Sequence, residues 1–246
     1  MSSNVTDPFL ILTILFAGFI LSFTYLKGKI DLSAFLASGF VGILTIIFLG
    51  EFWYFIYVIF AFFIAGNLVS KYKYEIKKRN GVAQNIRTWR NVFGNGFSAI
   101  IFAFLYYLTH EKSFIYGFLG SMATASADTF ATEIGEIYEK KPRLITKPWK
   151  RVRVGTSGAV SIPGFFGAIL GAITIALITL LLDFYHNFTN SEILLTLLLV
   201  FAGFLGSIAD SFLGATIEKK FLDTHLVNFF ATFFGGAIST MFYFIL

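Results

Sequence analysis

The 246-residue chain has no cysteine, which excludes disulfides and thiolate metal sites. Its three histidines, at positions 110, 186 and 225, are too scattered to form a ligand set and read as loop residues. Charge is scarce: 13% of residues are Asp, Glu, Lys or Arg, about half of what a soluble domain carries. No Gly-x-x-x-x-Gly-Lys-Ser/Thr run occurs, so this is not a P-loop protein. What fills the chain is apolar: 57% hydrophobic, with 33 Phe, in long blocks rather than amphipathic stripes. The aromatics read as lipid-facing filler and interfacial anchors. The composition is that of an integral membrane protein. No shift in it marks a second domain, so residues 1–246 are expected to form a single all-α, polytopic helix bundle.

Eight apolar segments are long enough to span a bilayer: 9–26, 31–50, 52–70, 89–109, 113–135, 158–182, 192–214 and 225–245. The weakest boundary is Gly50-Glu51. The first run, Phe9 to Leu26, lacks a basic leader and a clear small-residue cleavage site, so it reads as a permanent helix. Two long polar loops remain, Lys71 to Thr88 and Glu136 to Gly155. With the N- and C-termini outside, eighteen of the 19 Lys and Arg fall on the inner side, Lys219 and Lys220 among them, and only Lys112 falls outside. That asymmetry follows the positive-inside rule and supports both the topology and the helix count. The cations of Lys71 to Arg79 read as a solvated run facing lipid headgroups.

The polar residues inside the membrane then gather at one depth. Asp128, Thr132 and Glu133 lie in the inner half of the fifth segment, and Asp210 in that of the seventh. Asn91 and Asn95, then Thr156, Ser157 and Ser161, then Asn228, stand where the fourth, sixth and eighth segments begin. Ionisable groups at membrane depth are costly and mark function by default. The two acidic segments also look alike. Gly117-Phe118-Leu119-Gly120-Ser121 returns as Gly203-Phe204-Leu205-Gly206-Ser207, and each copy leads to Asp-Thr/Ser-Phe. Segments five–six and seven–eight therefore read as a repeated helical hairpin.

Hard carboxylate oxygens suit Mg²⁺, which typically takes one or two carboxylates plus substrate phosphates. Glu133 is about 140° round the helix from Asp128, so the two reach one ion only if the helix unwinds, or else they serve different partners. The loop Lys140 to Gly158 places seven cations before Gly155-Thr156-Ser157-Gly158. Glycines let backbone N–H groups turn toward an anion, and helix N-termini attract phosphate. The series suggests polyphosphate binding.

The stretches Ala127-Asp128-Thr129-Phe130-Ala131-Thr132-Glu133-Ile134-Gly135, Pro142-Arg143-Leu144-Ile145-Thr146, Gly155-Thr156-Ser157-Gly158-Ala159-Val160-Ser161 and Asp210-Ser211-Phe212-Leu213-Gly214-Ala215, in that order, resemble the membrane family containing plant phytyl-phosphate kinase and animal transmembrane protein 19. The similarity spans roughly residues 85 to 240. Phe130 stands where the family pattern has Trp, and Ala159 where it has Gly. More distant is an analogy to dolichol kinases and phosphatidate cytidylyltransferases. The resemblance implies a kinase that converts an isoprenyl monophosphate to the diphosphate, with a nucleoside triphosphate such as CTP as donor.

The mechanism compatible with these residues is Mg²⁺-assisted phosphoryl transfer at the cytoplasmic face of the cell membrane. Residues 89–246 would form the catalytic core, and 1–88 the N-terminal helices and first basic loop. Asp128, Asp210 and Glu133 are the expected metal ligands. Arg143, Lys147, Lys150, Arg151 and Arg153 are the expected phosphate-binding cations, Lys147 also as a catalytic group, with N–H groups from Gly155 to Gly158. Asn91, Asn95, Thr132, Ser161 and Asn228 are secondary candidates. The expected partners are an isoprenyl phosphate lipid, the nucleotide and membrane lipids; nucleic acid is not expected. The alternatives are a lipid-phosphate cytidylyltransferase and an ion-coupled transporter.

Overall fold

A computed structural model describes residues 7–83, 86–185, 190–218 and 221–245. Lys219, Lys220 and His186 lie outside the described residues. Among those described, eight long helices form the bundle: α1 (Pro8–Leu26), α2 (Leu32–Leu49), α3 (Ile56–Lys71), α5 (Trp89–Thr109), α6 (Ser113–Tyr138), α7 (Ile162–Tyr185), α8 (Asn190–Thr216) and α9 (Thr224–Ile245). A short helix α4 (Tyr74–Asn80) follows α3. Three small strands, β1 (Arg143–Leu144), β2 (Lys147–Arg151) and β3 (Ala159–Val160), form an antiparallel sheet ordered β2-β1-β3.

By length and composition, six helical runs suffice to cross a membrane, one of them the 40-residue stretch Leu32–Lys71. That stretch is a hairpin. A 3-10 turn over Gly50–Phe55, entered through Gly50 at φ 56°, separates α2 from α3. Arg87 ties the two distant ends together. Its backbone pairs with Ile30, just before α2, and its guanidinium donates to Ser70 Oγ, near the end of α3, at 3.5 Å. The two helices therefore run in opposite directions. The helix missing from the six is α6, whose Asp128, Glu133 and Glu136 lower its hydropathy.

That helix is the centre of the bundle. Every residue from Ile115 to Ala127 is buried, and a helix buried on all sides must be surrounded. Its neighbours are α3, α5, α7, α8 and α9. Small residues permit the close approach, because association in a membrane depends on packing rather than on the hydrophobic effect.

The loops rich in Lys and Arg gather at one end. Arg153 lies beside Gly81, Asn80 donates to the Glu136 carbonyl at 3.4 Å, Ser157 donates to Glu218, and Arg90 and Asp223 lie 3.8 Å apart. Lys112 is at the opposite end, near Phe52 of the 3-10 turn. The grouping expected from charge is thus present for the described residues.

Two expectations fail here. The sixth segment does not begin at 158: β3 intervenes and α7 starts at Ile162. Ser161 caps α7 by accepting from Gly164 N at 3.1 Å, with Pro163 in the first turn, where a missing N–H costs nothing. Nor is the Lys71–Arg79 run wholly solvated. Lys77 is 1% exposed. Its ammonium donates to the carbonyls of Val69 and Ser70 at the end of α3 and to Glu133 on α6.

Candidate functional site

The contact that builds the site is between α6 and α8. A Cβ on Gly203 would lie 3.0 Å from Ala123, and one on Gly206 would strike the Thr124 side chain. Only glycine lets α8 come this close. One helical turn on, each helix carries an aspartate, four residues from Thr124 in one case and from Gly206 in the other. The Asp128 and Asp210 carboxyl groups consequently come close enough to interact, in the same chamber.

Helices α5 and α9 close the next side. A Cβ on Gly94 would lie 2.9 Å from the His225 carbonyl oxygen, Ser98 Oγ donates to the Phe229 carbonyl at 2.8 Å, and Thr232 Oγ1 donates to Ser98 Oγ at 2.9 Å. This seam brings the Asn228 amide within 3.2 Å of both Asn95 Oδ1 and Asp210 Oδ2. With its nitrogen toward Asp210, Asn228 also donates to the Thr224 carbonyl at 2.9 Å.

The turn Gly155 to Gly158 covers the end of the site. Gly155 and Gly158 have φ of 79° and 73°, a region that favours glycine. A Cβ on Gly158 would also lie 2.6 Å from Ala215 Cα. Ser157 donates to Glu218, whose other oxygen accepts from Thr224 Oγ1 at 2.7 Å.

Together these elements enclose a polar chamber of about 470 Å³ at the basic end, lined by Asp128, Asp210, Glu136, Glu218, Arg87, Asn91, Asn95, Thr132, Gly155, Thr156, Ser157, Gly158, Ser161, His225 and Asn228 among others. Four carboxylate residues and one arginine line it, and the Arg87 guanidinium reaches away toward Ser70 Oγ and Gly66. Adjacent carboxylates repel when ionised, and a cation between them relieves the repulsion. The nearest donors are hard oxygens, a set that suits Mg²⁺. Among the described residues no three His, Cys, Asp or Glu side chains converge as a ready metal cluster; the oxygen donors that the chamber brings together are the Asp128 and Asp210 carboxylates.

Several expected members are elsewhere. Glu133 is not with the aspartates. It is 1% exposed, ion-paired with Lys77, and accepts from Ser70 Oγ at 2.6 Å. The intact helix carries it round to the α3–α4 side, so it is no metal ligand. Arg143, Lys147, Lys150, Arg151 and Arg153 do not line the chamber either. Arg143 and β2 are exposed on the small sheet, and Arg143 donates to the Pro148 carbonyl at 2.6 Å. Gly155 to Gly158 do line it, as a turn before a strand rather than a helix N-terminus. Asn91 has a second task, accepting from Thr88 N at 2.9 Å in the capping box of α5.

Four charged or titratable lining residues stand outside the expected set: Arg87, Glu136, Glu218 and His225. Arg87 was one cation among many in a loop. His225, a loop residue by sequence, is in the first turn of α9. Glu218 had a signal: it follows Asp210 by the same eight residues by which Glu136 follows Asp128, and both glutamates line the chamber.

The model of an integral membrane protein family, DUF92, matches residues 15–236. The chain belongs to the DUF92 family. An uncharacterized membrane protein of Methanocaldococcus jannaschii is 36% identical over 215 residues, covering 87% of this chain and 86% of that one. Protein PGR of Arabidopsis thaliana is 30% identical over 231 residues, covering 85% and 79%. An uncharacterized membrane protein of Synechocystis is 30% identical over 193 residues, covering 74% and 71%. No solved structure matches this DUF92 chain. Family membership, expected from the ordered motifs, is therefore established, and with it the multi-pass membrane character. The match reaches back to residue 15, beyond the stretch that carried the motifs, so the N-terminal helices belong to the family fold.

Proposed function

We propose that the chamber is the active site of an isoprenyl-phosphate kinase that transfers a phosphoryl group from a nucleoside triphosphate, such as CTP, to a prenyl monophosphate. The observation that carries this reading is the meeting of Asp128 and Asp210 beside the Gly155–Gly158 turn. A carboxylate pair and a glycine turn suit a metal-bound polyphosphate, and of that turn the Thr156 N–H already donates to the Arg153 carbonyl at 3.1 Å. The basic end is assigned to the cytoplasm by its Lys and Arg content, with both termini on the outer side of the cell membrane.

In this mechanism Asp128 and Asp210 would hold Mg²⁺, with Asn228 orienting Asp210. Bound Mg²⁺ supplies neutralisation of the charge on the transferring phosphoryl group. The Gly155 to Gly158 turn takes the donor phosphates, held in place by Ser157 on Glu218. An acceptor phosphate oxygen is already anionic, so no strong general base is needed. The terminal donor phosphorus gains a bond to that oxygen and loses its bond to the nucleoside diphosphate, which departs with its electron pair. The exposed cations of β2 act at a distance, steering the anionic nucleotide toward the chamber.

A carrier would need a polar route past the aspartates. Beyond Asp128 the centre of the bundle is Phe118, Leu119, Met122 and Ala123, all at most 1% exposed, which favours the enzyme. The test is to incubate purified protein with prenyl monophosphate, Mg²⁺ and each nucleoside triphosphate, and to identify the product by mass spectrometry. Prenyl diphosphate supports the kinase. A nucleotidylated lipid with released pyrophosphate supports a cytidylyltransferase instead, and no product with any nucleotide overturns both.

A further inference from the structure

A second cavity, about 560 Å³, opens among α1, α2, α3 and α5. Its walls are apolar, formed by Ile14, Leu21, Phe35, Ile43, Ile56 and Phe60 among others. It is open sideways: Leu36, Phe40 and Ile43, which line it, are 61%, 51% and 59% exposed. Along α2 the lining runs from Phe35 to Ile46, a rise of about 16 Å, or roughly half the ~30 Å hydrocarbon core. The groove is therefore one leaflet deep.

Its polar end carries the argument. Arg87, Asn91 and Asn95 line both this groove and the aspartate chamber, so the two spaces share a boundary of one arginine and two asparagines, with the Arg87 guanidinium also donating to Ser70 Oγ at 3.5 Å. Among the described lining residues, Arg87 is the one Lys or Arg of either space. An apolar trough one leaflet deep, a cation at its inner end and a polar chamber beyond match an amphiphile with an anionic phosphate head and a single apolar tail. Guanidinium binds phosphate oxygens through paired N–H donors.

We infer that this groove holds the tail of the lipid monophosphate, with its phosphate at Arg87 and its reacting oxygen turned into the chamber. The inference rests on the lipid-phosphate reading of the chamber and assigns a role to the first three helices. The groove has room for a test, because a Cβ on Gly18 or Gly39 meets nothing within 4 Å. A side chain grown at either position starts in open space, and both positions line the trough.

The experiment uses the full chain in phosphatidylcholine vesicles with a prenyl monophosphate carrying a diazirine at its tail end. Light should attach the probe to α1, α2 and α3, and unlabelled prenyl monophosphate should compete while the uncharged prenol does not. Gly39→Trp and, independently, Gly18→Trp should cut labelling at least tenfold and raise KM for the lipid with KM for nucleotide unchanged. Asp128→Asn should label like the parent. Labelling spread over all lipid-facing helices and not competed would mean bulk lipid only and overturn the inference, as would unchanged labelling in both Trp variants. Competed labelling without diphosphate formation keeps the groove and removes the kinase; diphosphate formation without groove labelling does the reverse.

Discussion

Gly206 packs directly on Thr124, and this contact sets the separation of the two aspartates one turn further along α6 and α8. Gly206→Val should push the helices apart. Overpacking of this kind costs typically 1–3 kcal/mol, so thermal unfolding in detergent should shift downward and turnover should fall. Adding Thr124→Ala removes the side chain that Val would strike and should recover part of both losses. Equal losses in the single and double variants would show that the contact does not set the register.

Lys77 and Glu133 make the opposite case, a buried pair away from the chamber. Removing one partner strands the other charge, at about 3–5 kcal/mol. Lys77→Met or Glu133→Gln alone should therefore destabilise strongly, whereas Lys77→Met with Glu133→Leu should be milder. Turnover per folded molecule should stay within about threefold of the parent in all three, since neither group touches the chamber. A loss of turnover with stability intact would return Glu133 to the site.

The exposed cations of β2 should act through long-range charge. Such attraction is screened over about 10 Å at 0.1 M salt. Raising ionic strength should increase KM for nucleotide, and Lys147→Ala with Lys150→Ala should raise KM at low salt and flatten that dependence while leaving kcat nearly unchanged. A large fall in kcat from these two substitutions would place the sheet inside the site.

Gly158 has both a φ of 73° and Ala215 against it. Gly158→Ala should deform the turn at a cost on the order of 1–3 kcal/mol, and the loss should appear in nucleotide KM more than in lipid KM. Matching effects on both would make the turn a structural plug rather than a phosphate cradle.

The helical architecture and the pairing of Asp128 with Asp210 were legible in the sequence, because a carboxylate in an apolar helix is costly and here it recurs in a repeated motif. Glu133 and Lys77 were legible only in part. The 140° offset already separated Glu133 from Asp128, but nothing local says that a lysine in a basic run is buried. That depends on the chain turning through Lys73 at φ 48° to lay α4 back on α6. The basic loop departs from expectation for a similar reason: charge sequence reports attraction to anions, not which residues face inward. In the short sheet Arg143 spends a donor on Pro148, while the uncharged Gly155 to Gly158 reach the chamber. Arg87 was hidden among its neighbours, and its position follows from pairing with Ile30, a contact between distant parts of the chain.

The most direct test of the metal–polyphosphate site is electron paramagnetic resonance of Mn²⁺, an oxygen-seeking substitute for Mg²⁺, titrated into the purified protein with and without nucleoside triphosphate. One ordered Mn²⁺ per chain, coupled to nucleotide phosphorus, should form in the parent and in the Lys77→Met, Glu133→Leu double variant. It should vanish in Asp128→Asn and in Asp210→Asn. A coupled Mn²⁺ signal that survives in both aspartate variants would contradict the account.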